Sequence, residues 1–260
     1  MKNKEKTKPK RIVISNQKGG VGKTTTVINL SGAFAKQNLK TLLIDLDSQG
    51  NLSKSFLENV PEERTTLNIF NQKEIIPIKT YNENINIIPC DNSLSSIIPK
   101  MTSDFDTIFL LNDFVKQQTN YDIILFDTPP TLMNLSLSAM VSSDYLLVPI
   151  STQFYSMQGT NDILISFMKI KNRFNNDMQF LGGLVSMHDK RTAMANDILK
   201  EIKTEFKNEL FNSIIPRTIK IEEAQVDRKT VIDLFPGSDV SNCYLDLSKE
   251  ILNKIERKRK

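Results

Sequence analysis

Apolar residues in this chain gather in short unbroken runs instead of alternating with polar ones. Ile12-Val13-Ile14, Leu42-Leu43-Ile44, Ile123-Ile124-Leu125-Phe126 and Leu146-Leu147-Val148 are examples. A strand with one face in water alternates with a period of two, whereas a strand covered on both faces stays apolar throughout. The runs predict strands over 11–16, 41–45, 85–89, 121–127, 145–150 and 181–187. Apolar positions at helical spacing predict helices over 25–36, 105–118, 135–141, 157–174 and 193–206, where that series closes. Strand and helix in succession define the α/β class: a doubly wound, mostly parallel sheet with helices on both faces and ligands at the carboxyl ends of its strands. A last helical pattern over 244–255 reads as a packing helix whose apolar stripe covers the sheet. No repeat, low-complexity stretch or linker divides the chain. A single domain is expected over residues 11–260, after a basic, disordered extension of residues 1–10.

One segment adds chemistry to this fold. Asn16-Gln17-Lys18-Gly19-Gly20-Val21-Gly22-Lys23-Thr24-Thr25 lies between the first strand and the first helix. Its glycines let the backbone turn so that successive N–H groups point inward, and the helix start adds a positive dipole. Strand, glycine-rich loop and helix in this order make a phosphate-binding loop. In such a loop Lys23 reaches the β- and γ-phosphates, and the Thr24 hydroxyl ligates Mg²⁺. The usual pattern has glycine where this chain has Gln17, and a second lysine, Lys18, precedes the glycine pair. Two lysines close together in a buried loop require an anion, because desolvated like charges repel. A triphosphate supplies it.

The block Lys18-Gly19-Gly20-Val21-Gly22-Lys23-Thr24-Thr25 resembles the deviant Walker A loop of the ParA/MinD family of dimerising ATPases. The resemblance continues through Leu43-Ile44-Asp45-Leu46-Asp47-Ser48-Gln49-Gly50-Asn51-Leu52, the segment from Tyr121 to Pro130, the run from Asp144 to Ile150, and Ile215-Pro216-Arg217. It spans essentially the whole chain after residue 10, and the Gln49-Gly50-Asn51 block favours the ParA partition branch over the MinD branch. The fold it implies is that of the P-loop NTPases, and the cofactors are ATP and Mg²⁺.

Phosphoryl transfer needs a positioned water, a metal on the phosphate oxygens and positive charge on the transition state. Asp45 and Asp47 end the second predicted strand, and Asp127 ends a later one, so all three face the reacting end of the loop. Asp127 matches the Walker B position and holds Mg²⁺ through water. Asp45 either belongs to the magnesium's water shell or caps the strand. By the resemblance, Asp47 is the carboxylate that positions the attacking water. Thr128-Pro129-Pro130 looks like the family's second switch. Lys18 would cross the interface of an ATP-sandwich dimer to the partner's nucleotide, so that hydrolysis loosens the dimer. Pro216 and Arg217 resemble the segment bordering the adenine, with a plain loop as the alternative. His188, the one histidine, is expected to be structural or interfacial.

At 260 residues with 39% hydrophobic composition, the chain can bury about three quarters of its unfolded surface. No apolar run approaches the roughly 20 residues of a membrane helix, and the lysine-rich start lacks a secretory signal's apolar segment. Cys90 and Cys243 are distant singletons, which argues against a disulfide framework, a zinc site and the related cluster-binding nitrogenase iron protein. A cytoplasmic, nucleoid-associated protein is expected. The net charge of +4 is uneven: residues 2–11 carry +5 and residues 254–260 carry +4, which leaves −5 between them. The basic tails either attract a polyanion or merely solubilise the chain.

Asp189-Lys190-Arg191-Thr192 resembles a family segment that grips DNA phosphates, and Lys220, Arg228 and Lys229 extend the basic set. The resemblance implies non-specific double-stranded DNA as a partner of the ATP-state homodimer, with a ParB-like centromere-binding protein stimulating hydrolysis; a solvated basic face is the alternative. Glu222-Glu223-Ala224-Gln225 stands where relatives often carry Ser-Glu-Ala-Pro, a departure at the DNA edge. Ten residues before the first strand leave no room for a helix-turn-helix, so operator binding is not expected. The function implied is chromosome or plasmid partition. Its rivals are a MinD-like or cargo-positioning ATPase at a membrane or protein assembly, and a nucleotide-gated DNA-binding regulator with negligible turnover.

Overall fold

A computed structural model describes residues 8–131, 134–153 and 157–258, with the side chains of the last range described from residue 162 onward. The strands are β1 (Lys10–Ile14), β2 (Thr41–Asp45), β3 (Ile78–Lys79), β4 (Ile85–Ile88), β5 (Ile123–Asp127), β6 (Tyr145–Ser151), β7 (Gln179–His188) and β8 (Leu210–Pro216). The helices are α1 (Lys23–Ala35), α2 (Asn51–Lys54), α3 (Thr66–Phe70), α4 (Ile98–Ser103), α5 (Leu110–Lys116), α6 (Asn134–Val141), α7 (Met157–Arg173), α8 (Ala193–Phe206), α9 (Lys220–Val226), α10 (Val231–Leu234) and α11 (Asp239–Lys258).

The strands form one sheet in the order β3-β4-β2-β5-β1-β6-β7-β8. Every neighbouring pair is parallel except β3 with β4. This is the doubly wound sheet the unbroken apolar runs require. Ile12, Ile14, Leu43, Leu125 and Leu147 face Val27 and Phe34 of α1 and Tyr244, Leu247 and Ile251 of α11. Val13, Ile44, Phe126 and Val148 face the other way, towards Leu111 of α5, Ala139 of α6, Ile163 of α7 and Ile202 of α8. Burying a side chain of this size stabilises the fold by about 1.5–3 kcal/mol, which is why both faces stay apolar. The stripe on α11 is thus spent on the sheet, as expected of a packing helix.

The structure departs from the sequence reading in several places, among them the stretch between β2 and residue 105, which also holds α2, α3, β3 and α4. The series does not close at Phe206 but continues through β8, α9 and α10 before α11, which contains the helix expected over 244–255. The helix expected over 105–118 is a 3₁₀ turn, Phe105–Phe109, followed by the short α5. Asp104 caps that turn by accepting from the Asp106 N–H at 3.1 Å. The first strand also starts before residue 11, at Lys10, with Pro9 buried, and residues 1–7 of the expected extension lie outside the described residues.

Chain direction on the sheet reverses around β1. The chain leaves β1 for β2 on one side, and the path from β5 to β6 crosses to the other. The loop after β1 therefore opens into the crevice at a topological switch point, where α/β sheets bind ligands.

Candidate active site

Residues 15–22 run from the end of β1 to the start of α1. Asn16 fastens the loop: its Nδ2 donates to the Pro149 carbonyl at 2.8 Å, and its Oδ1 accepts from the Lys18 N–H at 3.0 Å. Gly20 and Gly22 take left-handed backbone angles, φ 71° and 83°, where a Cβ costs roughly 1–2 kcal/mol. Gly22 caps α1 in that conformation, leaving the first N–H groups of the helix for a ligand. Ser186 of β7 supports the turn by donating to the Val21 carbonyl at 2.8 Å.

Lys23 is buried, and its ammonium donates to the Lys18 carbonyl at 3.2 Å. Burial lowers its pKa, and the Asp127 and Asp47 carboxylates oppose that shift. Next to it the Thr24 hydroxyl donates to Asp127 Oδ2 at 2.7 Å. The other oxygen, Asp127 Oδ1, is buried without a hydrogen-bond partner. Burial, with Asp45 nearby, pushes the Asp127 pKa well above the carboxylate range. A buried, half-satisfied carboxylate beside a threonine hydroxyl is a donor set suited to a hydrated Mg²⁺, so these residues fit the ion. Among the described residues no cluster of three His, Cys, Asp or Glu side chains could hold a metal alone.

Asp45 lies beside Asp127 in register, β2 against β5. Its oxygens are taken by its own chain: Oδ1 accepts from the Asp47 N–H at 3.1 Å, and Oδ2 from the Ser53 N–H and hydroxyl at 2.9 and 2.6 Å. Burial raises its pKa to about 6 against these hydrogen bonds. Of its two roles, capping the strand is the one this geometry supports. Asp47 is half-buried, on the face that Lys23 and Asp127 share electrostatically.

The buried side-chain polar atoms that lack partners among the described residues are Ser15 Oγ, Asp127 Oδ1, Thr152 Oγ1 and His188 Nδ1. Each closes or follows one of four adjacent strands, in the order β5, β1, β6 and β7. Unsatisfied polar groups are rare in folded proteins, and these four lie in a row along the rim onto which the loop after β1 opens.

The rim continues to β8. Pro216 pairs with His188, and the Arg217 N–H donates to the His188 carbonyl at 3.0 Å. Pro216 and Arg217 thus stand at the end of β8, beside β7 and three strands from β1. Lys190 and Arg191 follow β7 and are exposed, with Arg191 held to Asp189 at 2.8 Å. Lys220 opens α9 with its ammonium 5.6 Å from the centre of the Phe235 ring, and Arg228 and Lys229 are exposed after that helix. The structure gathers Lys18, Lys23, Thr24, Asp45, Asp47 and Asp127 at the centre of the rim and leaves the basic residues along its β7–β8 flank. Ser53 and Cys90, which touch Asp45 and Asp47, escaped the sequence reading because nothing in their spacing marks them.

Fold, switch-point loop and paired lysine and carboxylate together define a P-loop nucleoside triphosphatase. A family model described as AAA domain matches residues 9–180, and one described as 4Fe-4S iron sulfur cluster binding proteins, NifH/frxC family, matches residues 105–259. The latter match contains one cysteine, Cys243. The chain is 33% identical to the sporulation initiation inhibitor protein Soj of Bacillus subtilis, over 93% of this chain and 98% of that one. It is 30% identical to the chromosome partitioning protein ParA of Caulobacter vibrioides, over 95% of each. Cobyrinic acid a,c-diamide synthase of Mycobacterium smegmatis, solved with bound ADP and magnesium, shares the fold with a TM-score of 0.82 and 22% identity, covering 95% of this chain and 96% of that one. The chain belongs to the Soj/ParA branch of the ParA/MinD family of P-loop ATPases, and ATP hydrolysis is its activity. No described helix is long and apolar enough to cross a membrane.

Proposed function

We propose that this ATPase dimerises on Mg²⁺-ATP, binds double-stranded DNA without sequence preference in that state, and partitions a chromosome or plasmid. The observation carrying the nucleotide chemistry is the buried Lys23 beside the Thr24–Asp127 pair, with one carboxylate oxygen left for a ligand. Lys23 neutralises the phosphates, and the N–H groups at the start of α1 hold them. Thr24 and Asp127 would hold Mg²⁺, which when bound neutralises charge on the phosphate oxygens. Gly19, Gly20, Val21, Gly22 and Thr25 complete the cradle, and Pro216 and Arg217 border the base. Asp47 accepts a hydrogen bond from the attacking water and orients it.

Lys18 supplies positive charge to the nucleotide of a second copy, which makes ATP part of the interface. Lys190, Arg191, Lys220, Arg228 and Lys229 then form a doubled phosphate-binding edge. A ParB-like partner completes the transition state and times dimer release, and the protein resides on the nucleoid. The name of the ParA relative, a chromosome partitioning protein, supports the partition role.

Size-exclusion chromatography with light scattering tests it directly. A dimer is expected with ATP when hydrolysis is blocked, and a monomer with ADP. Lys18→Ala should stay monomeric while still binding ATP; a Lys18→Ala dimer refutes its role. Gel shifts on unrelated DNA should appear with ATP alone, and equal retention without nucleotide, with ADP and with ATP removes the gating.

A further inference from the structure

Asp47 sits in the loop between β2 and α2, in neither element. A carboxylate on such a loop needs outside support if it is to meet a water at a fixed angle. Both peptide groups around its Cα are held. The Asp47 N–H donates to Asp45 Oδ1, the Asp47 carbonyl accepts from the Gly50 N–H at 2.7 Å, and the Cys90 thiol lies against both that carbonyl and the Asp45 carboxyl. Cys90 follows β4, so its thiol reaches the loop from a neighbouring strand. Ser53 ties the two supports together. Its hydroxyl donates to Asp45 Oδ2 at 2.6 Å and accepts from the Cys90 N–H at 2.9 Å.

Asp45, Ser53 and Cys90 are all buried, so removing one partner strands another. Burial also pushes the thiol pKa up, which keeps Cys90 a donor. The loop is pressed against this residue: a Cβ on Gly50, at φ 63°, would lie 2.9 Å from the Cys90 carbonyl oxygen.

We propose that Ser53 and Cys90 are positioning residues for ATP hydrolysis, fixing the Asp47 backbone directly and through Asp45, and with it the point where the carboxylate meets the attacking water. The proposal rests on the reading of Asp47 as the water-positioning group. ATP itself is held by the loop after β1, so a slack Asp47 slows turnover without weakening substrate binding.

Steady-state hydrolysis and titration with a fluorescent ATP analogue, on the same folded preparations, test this. Cys90→Ala should lower kcat about tenfold with KM and analogue affinity within about twofold, since small misplacements of a reacting group cost this much. Cys90→Ser, which restores a donor, should recover most of the loss, and Ser53→Ala should lose at least as much as Cys90→Ala. A folded Cys90→Ala with kcat within about twofold of the unchanged protein overturns the proposal. So does an equal fall in kcat and affinity that Cys90→Ser does not recover, because that is a packing defect. If Cys90→Ala does not fold, the other two decide: Cys90→Ser must keep about half of kcat and Ser53→Ala must lose about tenfold, or the proposal fails. Asp47→Ala run alongside separates the two ideas. Unchanged turnover there removes the role of Asp47 itself, whereas an inactive Asp47→Ala beside an unaffected Cys90→Ala removes only the support.

Discussion

The carboxyl rim of the sheet carries charge in two regions built in opposite ways. Around β1, β2 and β5 the charged groups are buried: Lys23, Asp45 and Asp127 are shielded from water, and each is held within a few ångströms of another group. Along β7, β8 and α9 they are exposed, and Arg191 pairs with its neighbour Asp189. Burial makes a charge expensive, so its position is over-determined and its loss is severe. Exposure makes it cheap, screened and replaceable, so only several together have an effect. The first region is suited to chemistry, and the second to a diffuse grip on a polyanion.

The sharpest way to break this contrast is to remove a buried group. Lys23→Ala or Asp127→Ala should lower hydrolysis on the order of 10²–10³-fold, the usual effect of deleting a preorganised group that stabilises developing charge. Turnover assays check this, and a loss no larger than that of an exposed lysine would erase the distinction.

Next in size is the junction between the regions. Gly32 of α1 lies under Thr230, which adjoins Lys229, and a Cβ there would stand 2.4 Å from Thr230 Oγ1. Gly32→Ala should destabilise the protein by about 1–3 kcal/mol through overpacking. Urea denaturation reads that directly, and an unchanged midpoint would show the junction to be loose.

A third test uses acidity. Asp45 has its folded pKa raised from 3.8 to about 6 by burial, so the fold favours its protonated form. Ligand-free protein therefore gains stability from Asp45 at low pH and loses it as pH rises through about 6. Asp45→Asn should flatten the dependence of Tm on pH between about 4 and 7, measured by calorimetry. A slope unchanged by the substitution would mean that Asp45 is not the group responsible.

The smallest effects belong to the exposed flank. Lys190→Ala, Lys220→Ala or Lys229→Ala should each reduce the salt dependence of DNA binding by about 0.9 in the log–log slope per copy, roughly 1.8 for the dimer, and leave sequence preference unaltered. Fluorescence anisotropy across a salt series checks it. A single substitution that abolished binding would move that residue into the class of the buried groups.

What the sequence made legible follows the same division between local and distant. The phosphate loop was readable because Gly20, Gly22, Lys23 and Thr24 act through their own backbone and immediate neighbours. The inner strands were readable because both faces are covered. β8 was not, because Asn212 and Ser213 interrupt its apolar run. Both are satisfied by Glu250 of α11, at 2.8 Å to the Asn212 N–H and 3.2 Å to the Ser213 hydroxyl, a partner no local pattern announces. Asp45 was visible as a carboxylate, but the choice between its two roles depended on Ser53, which reaches it only after the chain folds back through α2.

The place of β1 in the sheet has a consequence for how the protein is made. β1 pairs with β5 and β6 and with no strand between them in sequence, and Thr24 meets Asp127 across a separation of 103 residues. A ribosome emits the lysine-bearing loop early and its walls late. The nascent chain therefore cannot clasp nucleotide until roughly half of it has emerged, and a polypeptide truncated before β5 would carry the motif without the means to use it.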